Sequence, residues 1–211
     1  KLMAIDPSGR GADETGYAVV NQLHGNLFCP EASAISGGGY DDGTLTRLAL
    51  VAKKHQVNTV LYENNFGDGM FGKIFLPVLN KIHPQCRLEE VRSLKQKEQR
   101  IIDTLEPVIN QPRLVFSRNV VEHDIAQADK DIRYSLFYQM TRMTSERGAL
   151  AHDDRIDVLT LAVAYWIEAM ARDRKNAERD HQASLLDKDL ESFMNGLILN
   201  TPGAISRKSL L

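Results

Sequence analysis

Three acidic stations, each at the boundary of an apolar run, constrain this chain more than any other feature. Asp6 follows Leu2-Met3-Ala4-Ile5, Glu63 follows Thr59-Val60-Leu61-Tyr62, and Asp153, Asp154 and Asp157 open a long helical pattern behind His152. A strand ending in a carboxylate puts that oxygen at the rim of a sheet. Two such strands and one helix N-terminus can converge on a single point. Converging carboxylates repel one another unless a hard cation lies between them, and an oxygen-only donor set suits Mg²⁺ or Mn²⁺.

Each station also has a purely structural use. Asp6-Pro7-Ser8-Gly9 is a good turn sequence, because Asp side chains bind nearby backbone N–H groups. Acidic residues at a helix start are favoured by capping and by the helix dipole. Glu63 fits such uses less well, since Glu is depleted in strands. Asp157 lies i+4 from Asp153 and i+3 from Asp154, so it shares a face with either. Carboxylates stacked in that way disfavour a helix unless a cation offsets them, and Arg155 points elsewhere on the wheel. Together the stations predict a centre for two ions about 3.5–4 Å apart, the arrangement used for phosphodiester hydrolysis. His152 is placed to support the ligands from behind or to shuttle a proton. Lys95, Lys97 and Arg100 cluster at a helix start, with Lys97 and Arg100 at i, i+3 spacing that lets both face one phosphate path.

Other chemistries lack their signatures. No Gly-x-x-x-x-Gly-Lys-Ser/Thr loop occurs, no Cys- or His-rich zinc spacing, and no Gly-x-Ser-x-Gly setting for a serine nucleophile. The 211 residues are enough for one domain with a substantial core. A net charge of −2 argues against a domain-wide basic footprint, so any nucleic-acid contact is local. No apolar run is long enough for a membrane span, and no signal peptide is visible. Cys29 and Cys86 are far apart and read as buried free thiols in a reducing compartment. The start in mid-strand, without Met, reads as a fragment of something longer.

Periodicity predicts strands at 2–5, 15–23 and 27–35, the last two joined by a His24-Gly25-Asn26 hairpin turn. A helix at 44–55 and a strand at 58–62 follow, then a glycine-rich loop over 64–72. Beyond it come a helix at 70–83, a strand at 87–91, a helix at 95–109 and a short strand at 113–116. A helix carrying Ile132, Leu136 and Met140 on one face is expected within 124–143. A long helix from Asp153 to Arg172 or beyond closes the domain, read as residues 1–174. Residues 175–211 read as a charged, mobile tail with one loose helix at 185–199. Early strands followed by alternating helices and strands predict a mixed α/β sheet flanked by helices.

Five segments, in order, carry a resemblance. They are Leu2–Gly9, Thr15–Ala18, Val60–Asn65, Lys97–Ile101 and His152–Asp157. This ordered set resembles the nuclease domain of the large terminase subunit of tailed bacteriophages, the DNA maturase B type. The resemblance implies an RNase H-like fold and an endonuclease that cuts concatemeric viral DNA during packaging, with two Mg²⁺ or Mn²⁺ ions. It implies Asp6 as bridging ligand, Glu63 as the second, and Asp154 as the favoured third with Asp153 or Asp157 assisting. Lys97 and Arg100 take DNA-facing roles. The implied partners are double-stranded DNA, the N-terminal ATPase domain of full-length members, the portal and the small terminase subunit, in the host cytoplasm. Two alternatives remain beside it: another RNase H-like endonuclease, of resolvase or transposase kind, and a non-catalytic portal-docking module.

Overall fold

The computed structural model describes residues 1–8, 14–63, 69–92 and 95–199, the side chains of 195–199 excepted. Six strands form one mixed sheet: β1 (Leu2–Asp6), β2 (Thr15–Leu23), β3 (Asn26–Ile35), β4 (Thr59–Glu63), β5 (Arg87–Val91) and β6 (Leu114–Phe116), in the order β5-β4-β1-β2-β3-β6. β1, β2 and β3 make an antiparallel meander, while β4 runs parallel to β1, β5 to β4 and β6 to β3. The β2–β3 connection is a two-residue turn in which His24 and Gly25 both have positive φ, 49° and 82°. That is the turn whose twist matches a hairpin.

The helices are α1 (Asp42–Lys54), α2 (Met70–Ile82), α3 (Lys97–Asn110), α4 (Arg118–Ala128), α5 (Leu136–Arg142) and α6 (Asp154–Leu199). Alternation along the strands sends Met3, Ile5, Tyr17, Val19, Val60 and Tyr62 to one face of the sheet. There they pack with Leu45, Leu48 and Ala52 of α1 and with Phe71, Phe75 and Leu79 of α2. Each fully buried Leu or Phe contributes about 1.5–3 kcal/mol relative to exposure. Leu2, Ala4 and Asp6 of β1 point to the opposite face by the same alternation.

The single helix expected within 124–143 is two helices with a 3-10 turn at Ile132–Tyr134 between them. The break has a polar cause. Asp124 is buried and accepts from Ser135 Oγ (2.6 Å) and from the backbone N–H groups of Leu136 (2.6 Å) and Phe137 (3.1 Å). Satisfying the start of α5 this way makes a new N-terminus where a continuous helix would leave Asp124 buried and unpaired.

The chain divides into two compact units, Lys1–Ile167 and Glu168–Leu211. In the second, α6 continues helical to Leu199 with Leu186, Leu190 and Phe193 exposed, across the segment expected as a charged tail. Residues 200–211, the rest of that segment, lie outside the described residues, as do 64–68 of the glycine-rich loop.

Within the first unit, α6 is held at four points, two of them on β2. Gly16 of β2 lies under its first turn, so close that a Cβ there would sit 2.8 Å from the Asp154 carbonyl oxygen. Gln139, 1% exposed on α5, accepts from the Ile156 backbone N–H at 3.1 Å. Arg155 donates to Glu14 at 3.1 Å, both largely buried. Trp166 Nε1 donates to the Val20 carbonyl at 2.9 Å. Gly16→Ala should therefore lower stability by about 1–3 kcal/mol, as overpacking against rigid backbone does. Urea unfolding measures this, and an unchanged midpoint would contradict the close approach.

Candidate metal centre

β1 and β4 are parallel neighbours with Ile5 opposite Tyr62, so the next residues, Asp6 and Glu63, leave the sheet side by side at one edge. The first turn of α6 brings Asp157 to the same place. One carboxylate oxygen from each of Asp6, Glu63 and Asp157 lies within 4.8 Å of the others. Glu63 and Asp157 are 5% and 2% exposed, so the three charges meet with little water between them.

α3 supplies two cations to this cluster. The Arg100 guanidinium spans Glu63 (Nη1 to Oε1, 3.0 Å) and Asp157 (Nη2 to Oδ1, 2.5 Å). Lys97 Nζ spans Asp153 (2.8 Å) and Asp157 (3.0 Å). Burial by itself would lower the Lys97 pKa, but Asp157 and Asp153 outweigh it and hold the ammonium charged well above its usual range. Asp157 is raised, by burial first, with Glu63 adding to it and Lys97 and Arg100 opposing. The Asp6 carboxyl makes no hydrogen bond or ion pair among the described residues. Its carboxyl is pushed up to about 8, first by burial and then by the Asp157 charge.

The balance of charge gives this arrangement its chemistry. Among the described residues, the three carboxylates Glu63, Asp153 and Asp157 are paired with two cations, Lys97 and Arg100, and the Asp6 carboxyl beside them has no cationic partner, which leaves the oxygen donors under-compensated. A hard divalent cation would offset it, and nothing softer than oxygen is present in the donor set. The residues present therefore fit Mg²⁺ or Mn²⁺.

The remaining candidates lie around this centre. Asp154 is outside the closest grouping; its carbonyl rests on Gly16, and its charge adds the smallest of the contributions that raise Asp6. Asp153 is paired to Lys97. The His152 ring stacks on Tyr134, with centroids 4.1 Å apart. Lys95 is exposed just before α3, whereas Lys97 and Arg100 turn toward the carboxylates. Sequence reasoning missed Gln139, Glu14 and the role of Arg155 in fixing the start of α6. The signal available was an Arg set between Asp154 and Ile156 at the head of a buried apolar stripe.

The fold and this chain's sequence have clear relatives. Residues 5–114 match the family model described as the ribonuclease H-like domain of the bacteriophage T7 terminase. The large terminase subunit of Enterobacteria phage T3 is 47% identical over 196 residues, covering 90% of this chain and 33% of that protein. The chain thus spans about one third of that relative's length. Among solved structures, the manganese-soaked, inhibitor-bound terminase nuclease domain of human cytomegalovirus aligns with a TM-score of 0.55 at 12% identity, covering 78% of this chain and 82% of that one. The nuclease domain of the large terminase subunit of bacterial virus Sf6 aligns with a TM-score of 0.51 at 10% identity, covering 77% and 86%. At such identities these two structures speak to the fold, a mixed sheet of RNase H-like kind flanked by helices. With the family model matching more than half of its length, the chain belongs to the T7-type terminase family as its ribonuclease H-like domain.

Proposed function

We propose that this domain is a metal-dependent endodeoxyribonuclease that cuts concatemeric viral DNA during genome packaging. The observation that carries the reading is the convergence of Asp6, Glu63 and Asp157 at one sheet edge, under-compensated by Lys97 and Arg100. Asp6, Glu63 and Asp157 would hold two Mg²⁺ or Mn²⁺ ions, with Asp153 and Asp154 beside them. When bound, such ions supply Lewis-acid activation of water and stabilisation of the departing 3′ oxygen.

The protein's own residues do the rest. Asp6 accepts a proton at its carboxylate when the centre is unloaded and gives it up on loading, because its pKa stands at about 8. Arg100 holds Glu63 and Asp157 at a fixed separation through its two nitrogens. Lys97, half-exposed on one side, is positioned to exchange a carboxylate for a DNA phosphate oxygen, and exposed Lys95 extends that path. His152, stacked on Tyr134, supports the ligand segment from behind. Phosphate contacts carry no base information, so weak sequence preference follows. The substrate is double-stranded DNA. In the host cytoplasm the domain would act beside the packaging ATPase of the full-length protein, the portal and the small subunit. Residues beyond 174 are proposed as a tail that joins it to that machinery.

Plasmid nicking tests the reading directly. The chain should nick and linearise plasmid with Mg²⁺ or Mn²⁺ and not with EDTA. Asp6→Asn, Glu63→Gln and Asp157→Asn should each lose about 100-fold or more, since even the supporting partners of metal ligands typically cost 10–100-fold. Equal cutting by Asp6→Asn would sink the assignment, and preferential cutting of four-way junctions would favour a resolvase-type enzyme.

Asp6 also sets a pH dependence. Its pKa is about 8 folded and about 3.9 unfolded, so between those values the folded state holds a proton that the unfolded state has released. In EDTA, stability from this group is fully present below about pH 4 and lost as pH rises through about 8, at up to about 1.4 kcal/mol per pH unit. Urea midpoints across that range should fall more steeply for the parent chain than for Asp6→Asn, and Mg²⁺ should flatten the difference. Parallel profiles in EDTA would contradict a protonated Asp6.

A further inference from the structure

A second polar site lies on the other face of the sheet. Tyr17 packs with the α1 and α2 core, opposite in alternation to Asp6, and its hydroxyl enters a cleft of about 350 Å³. Glu31 of β3 forms the floor. It accepts from Tyr17 Oη at 3.0 Å and from Lys54 Nζ at 2.6 Å, and it pairs with His55 Nε2 at 2.8 Å. Its charge is therefore already compensated from within.

The rim is different. Arg47 of α1 and His123 of α4 line the same cleft, are exposed, and make no hydrogen bond or ion pair among the described residues. Asn119, one turn before His123, adds a carboxamide. Against the single carboxylate Glu31 stand two cations, Arg47 and Lys54, with the imidazoles of His55 and His123 beside them, in a chain whose net charge is −2. A local cationic excess of this kind, with hydrogen-bond donors from both α1 and α4 lining one cleft, matches an anion with several acceptor oxygens. The guanidinium fork suits phosphate in particular. The cleft volume falls at the lower end of the range, about 300–1,000 Å³, of small-ligand sites.

We propose that this cleft binds a phosphate group, through Arg47 and His123 at the rim and Lys54 over the compensated floor. The phosphate belongs to a free phosphorylated ligand or to a DNA backbone passing the far face of the domain. The site is separate from the carboxylate centre and does not depend on the nuclease reading.

A chemical-shift titration decides it. Backbone amides of the chain carrying Asp6→Asn, which prevents cutting, are followed at low salt with inorganic phosphate, then dAMP, then a short blunt duplex. The same series is run with Arg47→Gln and His123→Gln added. Lys97 and Arg100 stay intact in both, so anion binding near the carboxylates cancels. The amides of Ala32, Ser33 and Asn119 should shift saturably with inorganic phosphate, and the added substitutions should weaken that binding about tenfold, a loss readily resolved in a titration. If the duplex moves the same amides and is weakened alike, the source is a DNA backbone. If only phosphate and dAMP do so, it is a free phosphorylated ligand. No shift at these amides, or equal affinity with and without the substitutions, would overturn the proposal. Unshifted amides elsewhere in the substituted chain show that it remains folded.

Discussion

Mutual repulsion among carboxylates at the ends of β1 and β4 and at the start of α6 is the constraint on which the rest of this structure depends. Three of them share a space under 5 Å across, two almost fully buried. Isolated buried charges of one sign are strongly unfavourable, so the fold surrounds them with compensation. Arg100 spans Glu63 and Asp157, Lys97 spans Asp153 and Asp157, and Asp6 answers by holding its proton to about pH 8. Breaking one of these pairs would leave its partner buried without compensation, which costs more than the pair itself contributes.

Such a centre works only if its three elements are held to a fraction of an ångström. Parallel pairing of β1 with β4 fixes Asp6 beside Glu63, and the hydrophobic face under α1 and α2 makes that register costly to slip. α6 is fixed otherwise, by close approach to Gly16, by Gln139 at the Ile156 N–H, and by Arg155 on Glu14. These anchors act on residues 154–156, the turn that leads directly into Asp157, so the helix presents that carboxylate in a fixed phase. The far face carries a different polarity, a compensated Glu31 beneath Arg47 and His123, which have no ion-pair partner among the described residues, and the sheet separates the two environments.

Much of this was legible in the residues. Asp6 and Glu63 stand out because apolar runs of strand length end on them, and the hairpin at His24-Gly25 was visible as turn chemistry. The i, i+3 spacing of Lys97 and Arg100 showed that they act together. Their direction was not visible, since α3 meets α6 only through contacts more than fifty residues apart in sequence. For the same reason local spacing put Asp157 on a face with either Asp153 or Asp154 without saying which of the three reaches Asp6. Gly16 and Gln139 set that phase. The break between α4 and α5 was hidden because Ile132, Leu136 and Met140 keep helical spacing across it, while the cause is the single side chain of Asp124, eleven residues from Ser135.

A crystal structure of this chain soaked in Mn²⁺ tests the central claim most directly, because manganese reports its own position by anomalous scattering. The account predicts anomalous density among the carboxylates of Asp6, Glu63 and Asp157, with Lys97 or Arg100 moved off at least one of them. Density elsewhere with this cluster still closed by its two cations would contradict a metal centre built from these three residues.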